Sequence, residues 1–174
     1  MPEPLILKAA STDPDPPVFL RRVARARIWA KALETKQPSD ASELLFEEDQ
    51  SVSLWHVGND EELRRVAMAI NESRDSLRET LDLLPILPAE LEEAGIKWIS
   101  ELGLTSCPTA AKLHYNAGID DDARSSLLQK LIAQGRRLVR CTGGKLREAV
   151  ELSTGEGCFA VATNSIECAC GEKR

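Results

Sequence analysis

Prolines and glycines cut this chain into segments, and the order of those segments decides what it can fold into. Pro38, Pro85, Pro88 and Pro108 cannot occupy helix interiors. Gly95, Gly103, Gly118, Gly135 and the Gly143-Gly144 pair supply exits and turns between them. Ahead of the first segment, residues 1–17 carry a short apolar run, Leu5-Ile6-Leu7, and a cluster of Pro14, Pro16 and Pro17. This predicts an extended N-terminal arm, with Pro17 presetting the first turn of a helix.

From Val18 to Thr35, Phe19, Val23, Ala26, Ala30 and Leu33 recur at helical spacing, which predicts one amphipathic helix closed by Pro38. An acidic amphipathic turn follows around Leu44-Leu45-Phe46. Ser51 to Val57 alternates with bulk on both sides, as in a strand covered on both faces. Asn59 or Asp60 caps a helix whose Leu63, Val66, Ala67 and Ile70 share a face. A second helix is expected from Asp75 or Ser76 to Leu84.

Pro88 to Ala94, with Gly95-Ile96 behind it, reads as a short helix with a left-handed glycine exit. Lys97 to Leu102 with Gly103-Leu104 repeats that pattern. Pro108 to Asn116 fits either helix or strand. Asp120-Asp121-Asp122 opens a helix carrying Ala123, Leu127, Leu128, Leu131 and Ile132, and Gly135 ends it. Arg137 to Cys141 and Cys158 to Thr163 read as strands. Lys145 to Leu152 fits helix or strand, its composition favouring helix. The fold class that results is α+β: a helix-rich single domain over 18–164 with a small sheet from strands near 51–57, 137–141 and 158–163. It lies between the N-terminal arm at 1–17 and a flexible tail at 165–174.

The charge pattern bears on partners. The net charge of −6 disfavours a general nucleic-acid binder. It is unevenly spread, however. Arg21, Arg22, Arg25 and Trp29 gather on one side of the expected first helix, and Arg136, Arg137, Arg140 and Lys145 surround the Gly143-Gly144 turn. These eight residues are the candidate partner-binding or anion-binding set. The turn with Lys145 would cradle an anion, although the full nucleotide-loop pattern is absent. Acids at Asp40, Glu43, Glu47, Glu48, Asp49, Asp60, Glu61 and Glu62 follow the basic segment directly, and their pairing with it is the simpler reading.

Five cysteines, an odd number, fit free thiols in a cytosolic chain better than a disulfide framework. Cys158, Cys168 and Cys170 are the candidate zinc ligands, but they lack the paired-knuckle spacing of a strong zinc site. Cys107 before Pro108 would sit at a helix cap, with His114 two turns away. Trp55-His56 reads as core lining. No serine-nucleophile elbow, kinase set, dinucleotide loop or metalloprotease helix is present. The sequence therefore leans towards a non-enzymatic cytoplasmic protein that binds another protein, or its own twin, through charge-segregated helices, with no cofactor and no membrane span. A nucleic-acid-associated factor and a small zinc or thiol protein are the alternatives.

Overall fold

The computed structural model describes residues 17–45, 51–71, 81–105, 108–141, 159–162 and 165–168. Its centre is a six-stranded antiparallel sheet with five helices around it, an α+β fold. The strands are β1 (Val18–Val23), β2 (Ser51–Val57), β3 (Leu81–Ile86), β4 (Lys97–Ser100), β5 (His114–Gly118) and β6 (Val139–Cys141), in the order β4-β5-β2-β1-β3-β6. The helices are α1 (Ala26–Thr35), α2 (Asp60–Asn71), α3 (Pro88–Glu93), α4 (Pro108–Ala111) and α5 (Asp121–Ala133), and a 3-10 segment spans Pro38–Leu45. A separate hairpin pairs β7 (Phe159–Ala162) with β8 (Ser165–Cys168).

Each face of the sheet has its own core. On one face Phe19, Val23, Val52, Leu54, Leu84 and Ile86 meet Trp29 and Ala32 of α1, Leu91 of α3 and Leu127, Leu128 and Leu131 of α5. On the other, Leu20, Val57, Leu81 and Leu83 meet Val66, Ala67 and Met68 of α2 and Ala110 of α4. The alternation along each strand sends successive side chains to opposite faces. That is why the bulk on both sides of residues 51–57 marked a strand covered twice.

Two helix stops follow the same chemistry. Gly95 (φ 73°) and Gly135 (φ 62°) take the left-handed conformation open to a residue without Cβ. The next N–H, of Ile96 or Arg136, reaches back to Leu91 O at 2.9 Å or Leu131 O at 3.0 Å. At the start of α5 the Asp120 carboxylate accepts the Ala123 N–H at 2.7 Å, as the aspartate run predicts. Asn59 does the same for α2, accepting Glu62 N–H at 2.9 Å.

Four expectations are corrected. The single helix over 18–35 is a strand, β1, followed by a shorter helix, α1. Phe19 and Val23 are four apart, a spacing that shares a face in a strand as well as in a helix. The second helix expected up to Leu84 gives way at Leu81 to β3, whose positions are buried on both faces and so show no alternation. Its Pro85 is tolerated because β6 pairs only Leu81–Leu83 of β3, and the Pro85 carbonyl accepts the Arg136 guanidinium at 3.1 Å instead. Lys97 to Leu102 is β4 and its continuation, not a helix. Finally, 159–162 pairs with 165–168, within the expected tail, and not with the main sheet. The ambiguous 108–116 contains both α4 and the start of β5. The N-terminal arm up to residue 16, the turn at 142–144, the segment 145–152 and Cys107 lie outside the described residues.

Gly103 has a reason unlike that of the helix exits. A Cβ there would stand 2.6 Å from Trp55 Cη2 and 3.1 Å from His114 Cβ, because the chain beyond β4 crosses tightly over the sheet. Gly103→Ala is expected to cost about 1–3 kcal/mol by overpacking, measured by denaturant unfolding. Gly118→Ala, with nothing within 4 Å of the added carbon, is the comparison and should cost less.

Candidate functional site

The candidate partner-binding residues do not form one surface. Arg21 and Arg22 are adjacent on β1, so their side chains leave on opposite faces of the sheet. Arg21 Nη1 lies 3.4 Å from Ser53 O, while Arg22 and Arg25 are exposed. Trp29 is not on a wet basic side: it is 1% exposed in the core, and its indole N–H donates to Arg136 O at 2.7 Å. Lys31 reaches Asp40 of the 3-10 segment at 4.0 Å, one exposed pairing between the basic and acidic stretches.

The second basic cluster is partly internal. The Arg136 guanidinium donates from both terminal nitrogens to the Glu90 carboxylate, and also to Pro85 O and to Gln134 Oε1. Glu90 is only 4% exposed and accepts the Leu87 N–H at 2.8 Å as well, so both oxygens are engaged. Arg140 Nε donates to Asp82 Oδ1 at 2.7 Å across the paired strands β3 and β6. That hydrogen bond raises the Arg140 pKa above its ordinary value; burial opposes the shift, and the charge of Asp82 adds to it. Arg137 is exposed, and Lys145 lies outside the described residues. Arg136 and Arg140 thus neutralise the two buried acids of the β3-α3 region. Side chains engaged in this way are poorly placed to grip a ligand.

His56 lies among rings, 5.0 Å from Phe19 and 5.9 Å from Tyr115 between centroids. His114 is buried edge-on to Trp55, and its Nδ1 sits 2.7 Å from Glu101 O, a contact in which the ring donates. Among the described residues no group of three or more His, Cys, Asp or Glu side chains converges on a metal-sized site. Cys168 closes β8, and Cys158 and Cys170 lie outside the described residues. Nor is any helix among them long and apolar enough to cross a membrane.

What does stand out is the outer edge of the sheet at β4. The exposed large hydrophobics of the described residues are Ile99 (67%), Leu102 (60%) and Leu104 (fully exposed), all on β4 or the segment that continues it. Beside them an open recess of about 440 Å³ is lined by Glu92, Gly95, Ile96, Lys97 and Trp98. Trp98 forms the far wall of the ring cluster, edge-on to Phe19 at 5.2 Å. β5 holds one side of β4, and among the described residues no strand pairs with the other side. Outward backbone groups, exposed apolar side chains on both faces and an adjacent recess therefore coincide at one edge. The expected helix over Lys97–Leu102 concealed this site. The signal was present in Trp98-Ile99, an aromatic and a β-branched residue that favour strands.

Comparisons with protein-family models, with curated proteins and with solved structures returned no match. The class of protein is therefore defined by the fold alone: an α+β domain built on a six-stranded antiparallel sheet, with exposed apolar side chains at its β4 end.

Proposed function

We propose that this chain is a non-enzymatic cytosolic interaction protein and that it docks a protein partner along the open edge of β4. The observation that carries the reading is the gathering of Ile99, Leu102 and Leu104 at a strand edge. Sheet edges are usually blunted by charge, proline or a covering element, because unpaired backbone groups recruit other strands. Here three large apolar side chains accompany the edge. Strand addition supplies affinity through main-chain hydrogen bonds and specificity through side-chain pockets, and the Trp98 recess is suited to the second part. The engagement of Arg136 and Arg140 with Glu90 and Asp82 and the burial of Trp29 weigh against the basic clusters as the docking surface, and with them the nucleic-acid alternative.

The test uses the full chain in extracts of its native host. The wild type is expected to migrate in a complex larger than the single chain. Ile99→Lys combined with Leu102→Glu is expected to weaken that complex about thirtyfold or more, with no loss of thermal stability, since both side chains are exposed. Identical migration of wild type and variant would remove the β4 edge from the proposal.

A further inference from the structure

We infer that the partner at the β4 edge is a second copy of this chain, its β4 laid antiparallel to the first across a two-fold axis at Ile99. The inference rests on the docking reading above and adds the identity and register of the occupant. Its first support is the hydrogen-bond phase of the edge. Glu101 N–H donates to His114 O, in line with the paired positions Ile99–Asn116 and Lys97–Gly118. In an antiparallel ladder the hydrogen-bonded positions alternate. Lys97, Ile99 and Glu101 therefore turn their backbone groups inward to β5, and Trp98 and Ser100 turn theirs outward.

A two-fold axis at Ile99 uses those outward groups. Trp98 of each copy falls opposite Ser100 of the other, and the two exchange backbone hydrogen bonds. Ile99 meets its own counterpart in a non-hydrogen-bonded pair, where side chains approach closest. The same register sets Lys97 opposite Glu101 of the second copy, twice by symmetry, so the strand is complementary in charge to itself. Glu101 has one oxygen on Asn116 Nδ2 at 2.7 Å, which leaves the other to face the lysine. On the opposite face Leu102 of one copy falls opposite Ile96 of the other, at the recess that Ile96 and Trp98 line. Sliding by two residues keeps the phase but sets Ile99 against Glu101, or Lys97 against Ile99. Sliding by one residue pairs outward backbone groups with inward ones. Only the register centred at Ile99 combines backbone phase, opposite charges and a filled recess. It joins two six-stranded sheets into one.

Sedimentation equilibrium of the purified full chain tests this. The wild type is expected to be a dimer. Ser100→Pro removes an N–H that points away from β5, so the fold keeps its internal bonds and the chain becomes monomeric with an unchanged circular dichroism spectrum. Lys97→Glu and Glu101→Lys are each expected to weaken the dimer about tenfold, by setting like charges opposite each other twice, and the double swap to restore it. A dimer indifferent to all of these variants would place self-association elsewhere and overturn the inference. A monomeric wild type would also overturn it. If Ile99→Lys with Leu102→Glu still dissolves the complex in extracts, the docking reading survives with a different partner. Slow amide exchange at Trp98 and Ser100 in a monomer would show the edge covered from within the chain and remove both.

Discussion

Arg136→Ala should cost about 3–5 kcal/mol of folding stability, the range for removing one member of a buried ion pair. Glu90 is the reason. It is 4% exposed on α3, and its carboxylate faces the Arg136 guanidinium and the Leu87 N–H. Without the guanidinium the buried charge keeps the Leu87 N–H donor and loses its ion-pair partner. The same change releases Pro85 O, which β6 does not reach. Arg136→Lys should fall between, because an ammonium keeps the charge but not the two-pronged grip. Replacing Glu90 and Arg136 together by Leu and Met should recover most of the loss, less about 1 kcal/mol for the Leu87 hydrogen bond. Denaturant unfolding of the four proteins decides it. A loss under about 1 kcal/mol in Arg136→Ala, or a double variant no better than the single, would mean that Glu90 is not held by this pairing.

The Glu90–Arg136 pair also marks where the sequence stopped being readable. Glu90 lies in α3 and Arg136 just past the exit of α5, and both helix stops were legible, since proline, glycine and aspartate act over four or five residues. Their partnership spans 46 positions, and no local pattern carries it. The same holds for Asp82 and Arg140, 58 apart. From the sequence alone an arginine beside a glycine turn looks like a ligand contact; in the fold it neutralises a buried acid. Periodicity failed where two periods coincide, as at Phe19 and Val23, or where both faces are buried, as along β3. It succeeded at β2 because a short alternating run with bulk on both sides suits a strand packed between two layers and little else. The β4 edge was hidden for another reason: an edge is defined by the strand that is missing beside it, which is a property of sheet order and not of residues 97–100.

Trp29→Ala should destabilise by about 3–5 kcal/mol, the usual range for emptying a core aromatic site. Trp29 sits at 1% exposure between α1 and the sheet, within the core that also holds Leu127, Leu131 and Leu138. Trp29→Phe separates two contributions. It keeps most of the packing but leaves Arg136 O without the indole donor that lies 2.7 Å away, and so should cost about 1–3 kcal/mol. Thermal unfolding should rank wild type above Trp29→Phe and Trp29→Phe above Trp29→Ala; a neutral phenylalanine variant would show that the carbonyl finds water instead. This hydrogen bond joins α1 to the exit of α5, and the same Arg136 carries the guanidinium that holds α3 and β3. One residue thus ties three helices to the sheet on a single face.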